Sequence, residues 1–206
     1  MLKNKMLQKL AALSLAILLL ASANVFSQND YKLDVAKSSL KWIGKKFLGA
    51  HWGWVNFKSG TITYDGTKIT SGEFEVDMTT IRNEDLKDKE MNAKLVGHLK
   101  SDDFFSVAKF PISKFVITHT TPIKDAKPGE PNLAVTGKMT IKGITQTISF
   151  PATIKVENNR ITAKASFDID RTKFDVRYGS GSFFDNLGDN VIYDNFTLEL
   201  NLTFSK

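Results

Sequence analysis

The sequence predicts an all-β, mainly antiparallel fold of about eight strands, arranged as a sandwich or an up-and-down barrel. Three observations predict it. Beyond residue 30 the dominant hydrophobic period is two. It is clearest near the C-terminus, where Phe196, Leu198, Leu200, Leu202 and Phe204 alternate with Thr197, Glu199, Asn201 and Thr203. Turn-forming pairs, Asp65-Gly66, Lys142-Gly143 and Asn158-Asn159, separate the apolar runs. Two of these turns also pass a register test. A two-residue turn at Lys142-Gly143 sets Ile141 against Ile144, Gly137 against Ile148 and Val135 against Phe150. The same turn at Asn158-Asn159 sets Val156 against Ile161, Ala152 against Ala165, Phe150 against Phe167 and Ile148 against Ile169. Apolar meets apolar along both ladders, so a three-strand meander is expected.

Taken in order, the chain opens on a leader. Met1–Lys9 carries Lys3, Lys5 and Lys9 and no acid, and the apolar run "LAALSLAILLL" follows at Leu10–Leu20. That run falls short of the about 20 residues a membrane span needs. Small residues come next, so residues 1–27 read as a cleaved signal peptide, with Ala21-Ser22-Ala23 and Val25-Phe26-Ser27 both fitting a cleavage site. The chain has no cysteine, hence no disulfide and no lipid-attachment cysteine. Residues 28–206 are expected as one barrel domain, periplasmic or secreted and unanchored. The whole chain has 206 residues and is 42% hydrophobic, enough for one substantial core. Its net charge is +6, of which the leader lysines supply three, so the remainder carries +3. No basic stripe with interleaved aromatics is present, which argues against nucleic acid as a partner, and Lys45-Lys46 reads as a solvated strand edge.

Strands are expected near residues 30–36, 39–47, 52–64, 67–79, 110–119, 133–142, 144–157 and 160–171, with 196–204 as a ninth. One helix interrupts them, from Asn83 as N-cap to about Lys100. Met91, Leu95, His98 and Leu99 share one face of it, and the chain then delivers Phe104 and Phe105. A short amphipathic helix followed by two aromatics suits a lid over an open barrel end; equally, these residues could simply complete the core.

Catalytic signatures are weak. His51, His98 and His119 have no metal-ligand spacing, and neither a nucleophile elbow nor a phosphate-binding loop is present. Asp102-Asp103, at a helix exit, reads as capping or solvation. The inward face says more. Ala152 lies between Leu133 and Ala165, Ile154 faces Ala163, and Gly137 faces Ile148, so this wall is made of small residues. Either large groups fill the space opposite or an apolar ligand does. The register also sets Gln146 against Arg171 on the inward face at the Lys142-Gly143 end. That pair is either solvated strand end or a polar head-group site, where Arg171 would hold a phosphate or carboxylate.

Four stretches, "NAKLVGHLKSDDFF", "KFP", "VTGKMTIKGITQTISFPATI" and "FDIDRTKFDVRYGSGSFFD", occur in this order and together resemble the YceI-like family over about residues 30–204. The matching positions are His98-Leu99 with Ser101, Asp103, Phe104 and Phe105; Gly137, Thr140, Gly143 and Thr145; and Asp170-Arg171 with Phe174. The tail "GSGSFFDNLGDNVIYDNF" is longer than in the simplest members. The resemblance implies a lipocalin-like up-and-down antiparallel barrel that holds a polyisoprenoid or other amphiphile. It implies no enzymatic activity and no cofactor or metal beyond the bound lipid. The expected lumen residues are Trp42, Phe74, Val76, Phe115, Val135, Phe150, Ala152, Ala165 and Phe167. Leu95, Leu99, Phe104, Phe105 and Phe174 would close over the ligand, and His51, His98, Gln146 and Arg171 would meet its polar head. Trp52 and Trp54 would line the cavity, sit at its rim or serve as core aromatics. Expected partners are the amphiphilic lipid and transient membrane contact, with a homodimer left open. Two alternatives remain: an enzyme or metal-binding protein using cavity histidines, and a small outer-membrane barrel. The second suffers from strands expected at about 7–9 residues, where membrane strands need about 9–11.

Overall fold

The computed structural model describes residues 29–206. The expected leader, residues 1–27, lies outside the described residues. The strands are β1 (Asn29–Leu33), β2 (Ser39–Lys46), β3 (Gly49–Tyr64), β4 (Ile69–Asn83), β5 (Ile112–Pro122), β6 (Leu133–Ile141), β7 (Ile144–Glu157), β8 (Arg160–Asp170) and β9 (Ile192–Ser205). One helix, α1 (Lys89–Lys100), joins β4 to β5, and a 3-10 turn (Arg171–Phe174) follows β8. Each strand from β2 to β9 pairs antiparallel with the next, and β9 pairs back onto β2, which closes an eight-stranded barrel. β1 pairs with Thr61–Tyr64 of β3 and with Phe204-Ser205 of β9, beyond the reach of β2. β1 and β2 together therefore make one broken stave.

β3, β4 and β9 exceed their expected bounds, at 16, 15 and 14 residues, and β7 fills its expected 144–157. None of the four is as short as the about 7–9 residues that would count against a membrane barrel. Bulges explain how such strands bend around a narrow barrel. β3 shifts register against β4 at Trp54/Asn56 and again at Phe57/Ser59. Its core residues accordingly change from odd positions, Val55 and Phe57, to the even position Ile62.

The meander registers hold along β6–β7 from Leu133↔Ala152 to Ile141↔Ile144. The β7–β8 ladder holds from Glu157↔Arg160 only as far as Ala152↔Ala165. Pro151 gives the reason. The Ala152 carbonyl accepts from the Asn132 N–H, on the β6 side, so the backbone of Pro151 faces β8, and proline has no N–H to donate there. Beyond this point β8 stays with β9 as far as Asp170↔Asn195, and the 3-10 turn packs on β7 instead. The expected pairing of Gln146 with Arg171 is not formed.

The helix also starts later than expected. Asp88 is its cap and accepts the Met91 N–H at 2.8 Å. Asn83 instead ends β4, paired with Gly53, and its side chain accepts the Leu86 N–H at 3.0 Å. Both residues can cap a turn, and the β3–β4 ladder claims the first. No residue of α1 is fully buried, and Met91 is 59% exposed. The helix lies along β4 and turns only its C-terminal end toward the barrel axis.

The topology gives the barrel two unlike ends. The 47–48 hairpin, residues 84–111, the 142–143 turn and residues 171–191 gather at one, the lid end. Residues 34–38, 65–68, 123–132 and 158–159 gather at the other, the far end. On the outer wall Glu75 joins Lys58 at 3.2 Å and Lys114 at 2.7 Å, and Lys41 meets Glu199 at 3.1 Å.

Candidate functional site: an apolar lumen

The period-two pattern puts one apolar row from every strand inside the barrel. At the far end those rows meet. Tyr31, Ile62, Ile161 and Phe204 are 4% exposed or less, and Phe204 stands edge-on to Phe74 at 6.0 Å. Above them the rows do not meet, and a cavity of about 200 Å³ remains. It runs from Ile62 and Phe204 at its base to Leu99, Phe104 and Phe105 under the lid. Its lining is almost wholly apolar. Lys114 contributes through its main chain, since its ammonium is on the outer wall with Glu75.

The small-residue wall divides into two. A Cβ on Gly137 would come within 2.4 Å of the Phe115 ring and 2.5 Å of the Val116 carbonyl, so the Phe115 ring occupies the space that glycine leaves. Ala152, Ala163 and Ala165 instead front the cavity. Phe150 and Phe167 stack face to face beside them, 3.9 Å apart. Trp42 crosses the lid-end wall over Gly53, where a Cβ would stand 2.8 Å from its Cζ2 atom and 1.9 Å from the Arg82 carbonyl; its indole N–H donates to that carbonyl at 3.2 Å.

Of the expected lumen residues, Trp42, Phe74, Val76, Phe115, Val135, Phe150, Ala152, Ala165 and Phe167 all line the cavity, as do Leu99, Phe104 and Phe105. Leu95 does not reach it, because only the last turn of α1 does. Phe174 does not reach it either; it is 1% exposed in the lid-end core with Met78, Val107 and Ile169. Trp52 and Trp54 pack edge to face outside it, on the opposite parity to Gly53 and Val55. Other lining residues escaped the sequence. Met78 keeps the parity of Phe74 and Val76, but Ile81 leaves it, and β3 changes parity between Phe57 and Ile62; nothing in the local sequence announces the bulges.

The polar candidates do not converge on the lumen. His51 binds Asp85 at 2.7 Å outside the cavity, where Asp85 also accepts the Trp52 N–H at 2.8 Å. Burial pushes the Asp85 carboxyl up, but the Trp52 N–H, His51 and the Asn83 amide outweigh it and hold the group below the usual carboxylate range. His98 stands edge-on to Phe104 at 5.0 Å and to Tyr178 at 4.4 Å, bridging α1 to the 175–191 loop. Gln146 donates to the Lys173 carbonyl at 3.0 Å. Asp102 accepts from Ser106 and from Lys109, so it ties the lid turn.

Arg171 does line the cavity and is 3% exposed, but three of its five N–H donors are committed to the main chain. Nε donates to the Tyr193 carbonyl at 3.1 Å, Nη1 to Val176 at 2.8 Å and Nη2 to Ile192 at 2.9 Å. Asp194 stands 3.7 Å from Nη2, and the Phe104 ring lies 5.8 Å from the guanidinium carbon. Burial pushes the Arg171 pKa down, against the opposing charges of Asp194 and Asp170. The residue clips the long loop before β9 to the barrel. Among the described residues, no three side chains of metal-ligating type come together.

A YceI-like domain model matches residues 31–204. Relatives include a UPF0312 protein of Shewanella denitrificans, 34% identical over 152 residues, covering 71% of this chain and 70% of its own length. A UPF0312 protein of Pseudomonas fluorescens is 33% identical over 160 residues, covering 74% and 76%. Among solved structures, Burkholderia cenocepacia BcnA superposes with a TM-score of 0.63 at 26% identity, over 83% of this chain and 98% of that one. A polyisoprenoid binding domain from Saccharophagus degradans superposes at 0.58 with 14% identity, over 85% and 97%.

Proposed function

The chain belongs to the YceI-like family, and on that premise we propose that it binds a long, mainly apolar lipid in the barrel lumen and carries it outside the cytoplasm. The cavity carries this reading. Its volume of about 200 Å³ exceeds the roughly 150 Å³ at which apolar cavities stay dry and accept small hydrocarbon guests. At about 24 cal/mol per Å³, such a cavity costs a packed core about 5 kcal/mol, which is comparable with the whole stability of many domains. Each methylene placed there recovers about 0.8 kcal/mol. The structural neighbour described as a polyisoprenoid binding domain supports the same class of cargo.

Because the lining is almost wholly apolar and Arg171, its one buried charged side chain, gives three of its five N–H groups to main-chain carbonyls, the guest's hydrocarbon lies inside and its polar end lies at the lid. Binding needs no covalent step. The ion pairs on the outer wall oppose the outer-membrane reading, since a membrane barrel carries an apolar band there. The leader read in the sequence supports a periplasmic or secreted site of action.

Cavity filling tests the proposal. Ala165→Phe, chosen because Ala165 fronts the cavity, is expected to cost no more than the about 1–3 kcal/mol of overpacking, since the ring has a cavity to enter. It should abolish the lipid that mass spectrometry finds in wild-type protein purified without detergent. Equal lipid in the folded variant would overturn a lumenal site.

A further inference from the structure

The large apolar side chains left exposed are divided unevenly between the barrel's two ends. Among the described residues, every aromatic in that group, Phe47, Tyr178, Phe183, Phe184 and Tyr193, lies at the lid end; the far end exposes only Val35, Ile123 and Val156. Single exposed apolar residues need no explanation, whereas a cluster does. Backbone bonds lace this cluster together. The Phe47 N–H donates to Val191 at 3.0 Å, Ile192 donates to Gly179 at 2.8 Å, and Phe184 donates to Ser180 at 3.0 Å.

The β2–β3 hairpin forms its most prominent part. Phe47 is 58% exposed and Leu48 63%, at the tip of the hairpin. Lys45 and Lys46 precede them; both are exposed and, among the described residues, neither has an ion-pair partner. Beside them Arg177 lies 4.6 Å over the Phe183 ring. An apolar tip flanked by unpaired lysines has the chemistry of the bilayer interface. The apolar groups enter the acyl boundary, aromatic rings suit head-group depth, and ammonium groups on flexible stems reach the phosphates.

We infer that the lid end docks on a phospholipid bilayer through Phe47 and Leu48, with Lys45 and Lys46 on lipid phosphates. The mouth of the lumen then faces the membrane from which a lipid guest comes or to which it goes. Lid residues Asp185 and Asp189 limit the net positive charge of this end, so apolar insertion supplies most of the binding. The purpose of docking rests on the lipid-binding reading; the contact itself does not.

Co-sedimentation with phosphatidylcholine–phosphatidylglycerol vesicles tests it. Wild-type protein is expected to bind, and Phe47→Ser/Leu48→Ser to lower the partition coefficient roughly tenfold per residue. Lys45→Gln/Lys46→Gln should lower it roughly fivefold per residue at low salt and little at high salt. Val35→Ser/Ile123→Ser, at the far end, should leave it unchanged. No vesicle binding by wild type, or an equal loss in the far-end variant, would overturn the proposal. So would a dimer in sedimentation velocity that Phe47→Ser/Leu48→Ser dissolves, since a second copy would then cover the patch. Lipid extraction from wild-type protein keeps the two readings apart: a loaded lumen in protein that ignores vesicles defeats docking alone, and an empty lumen in protein that binds vesicles defeats the lipid-carrier reading alone.

Discussion

The two ends of this barrel are closed by different physics. At the far end the staves' own side chains meet, and Ile161 and Phe204 are 1% exposed or less. At the lid end the staves stop short of one another. Closure falls to added chain, namely α1 with its Phe104-Phe105 turn and the loop that Arg171 clips by three main-chain carbonyls. Apolar packing over a short radius is close to all-or-none. The lid chain buries Phe174, Val176 and Ser180 as well, so local opening belongs to its exposed parts, the outer face of α1 and residues 181–190. A barrel built this way keeps a fixed floor and a releasable roof, which suits a guest that enters from one side.

Substitutions at the two ends should separate global from local stability. The largest effect is expected for Phe204→Ala, which removes a buried ring from the floor and should cost about 3–5 kcal/mol in denaturant unfolding. A cost below about 1 kcal/mol would mean that the floor is not the barrel's anchor. Arg171→Met should cost about 3 kcal/mol, because three main-chain carbonyls lose their donor and Asp194 its counter-charge. Its signature is local: amide exchange should accelerate over residues 175–193 and not in β6. Uniform acceleration through the barrel would show that the clip belongs to the core.

The smallest effect is a pH dependence at the roof. Asp85 is held below its ordinary range in the folded protein, so the stability it contributes is complete above about pH 4 and is lost as pH falls through its lowered value. Lid-end amides near Trp52 and Asn83 should therefore lose protection as pH falls below about 4, whereas the far-end hairpin keeps Asp65 ionised down to about 2. Asp85→Asn should flatten that difference. A floor that loses protection at the same pH as the lid would remove the distinction between the two ends.

Much of this was legible in the residues. Alternation in β9 and in the β6–β8 meander gave the inward faces, and Lys142-Gly143 and Asn158-Asn159 gave a register that the backbone follows wherever the strands pair. Both central residues of the first turn have positive φ, as a tight hairpin demands. The break at Pro151 was signalled too, by a proline whose missing N–H falls on the β8 side, though the signal is easily read past in "SFPATI".

What the sequence by itself determined is therefore local and one-sided: which face of each stave is apolar, where the chain reverses, and that one wall is built from alanine and glycine. Distances across the barrel are set by closure, and only the tertiary structure decided them. Gly137 and Ala165 read alike in sequence, yet a ring from the neighbouring β5 strand fills the first site while the second fronts the cavity, because no chain segment carries information about the wall facing it. Arg171 makes the same point for polarity. Nearby Val176 takes one of its N–H groups, and the main chain some 20 residues away, at Ile192 and Tyr193, takes two more, which no local reading reveals.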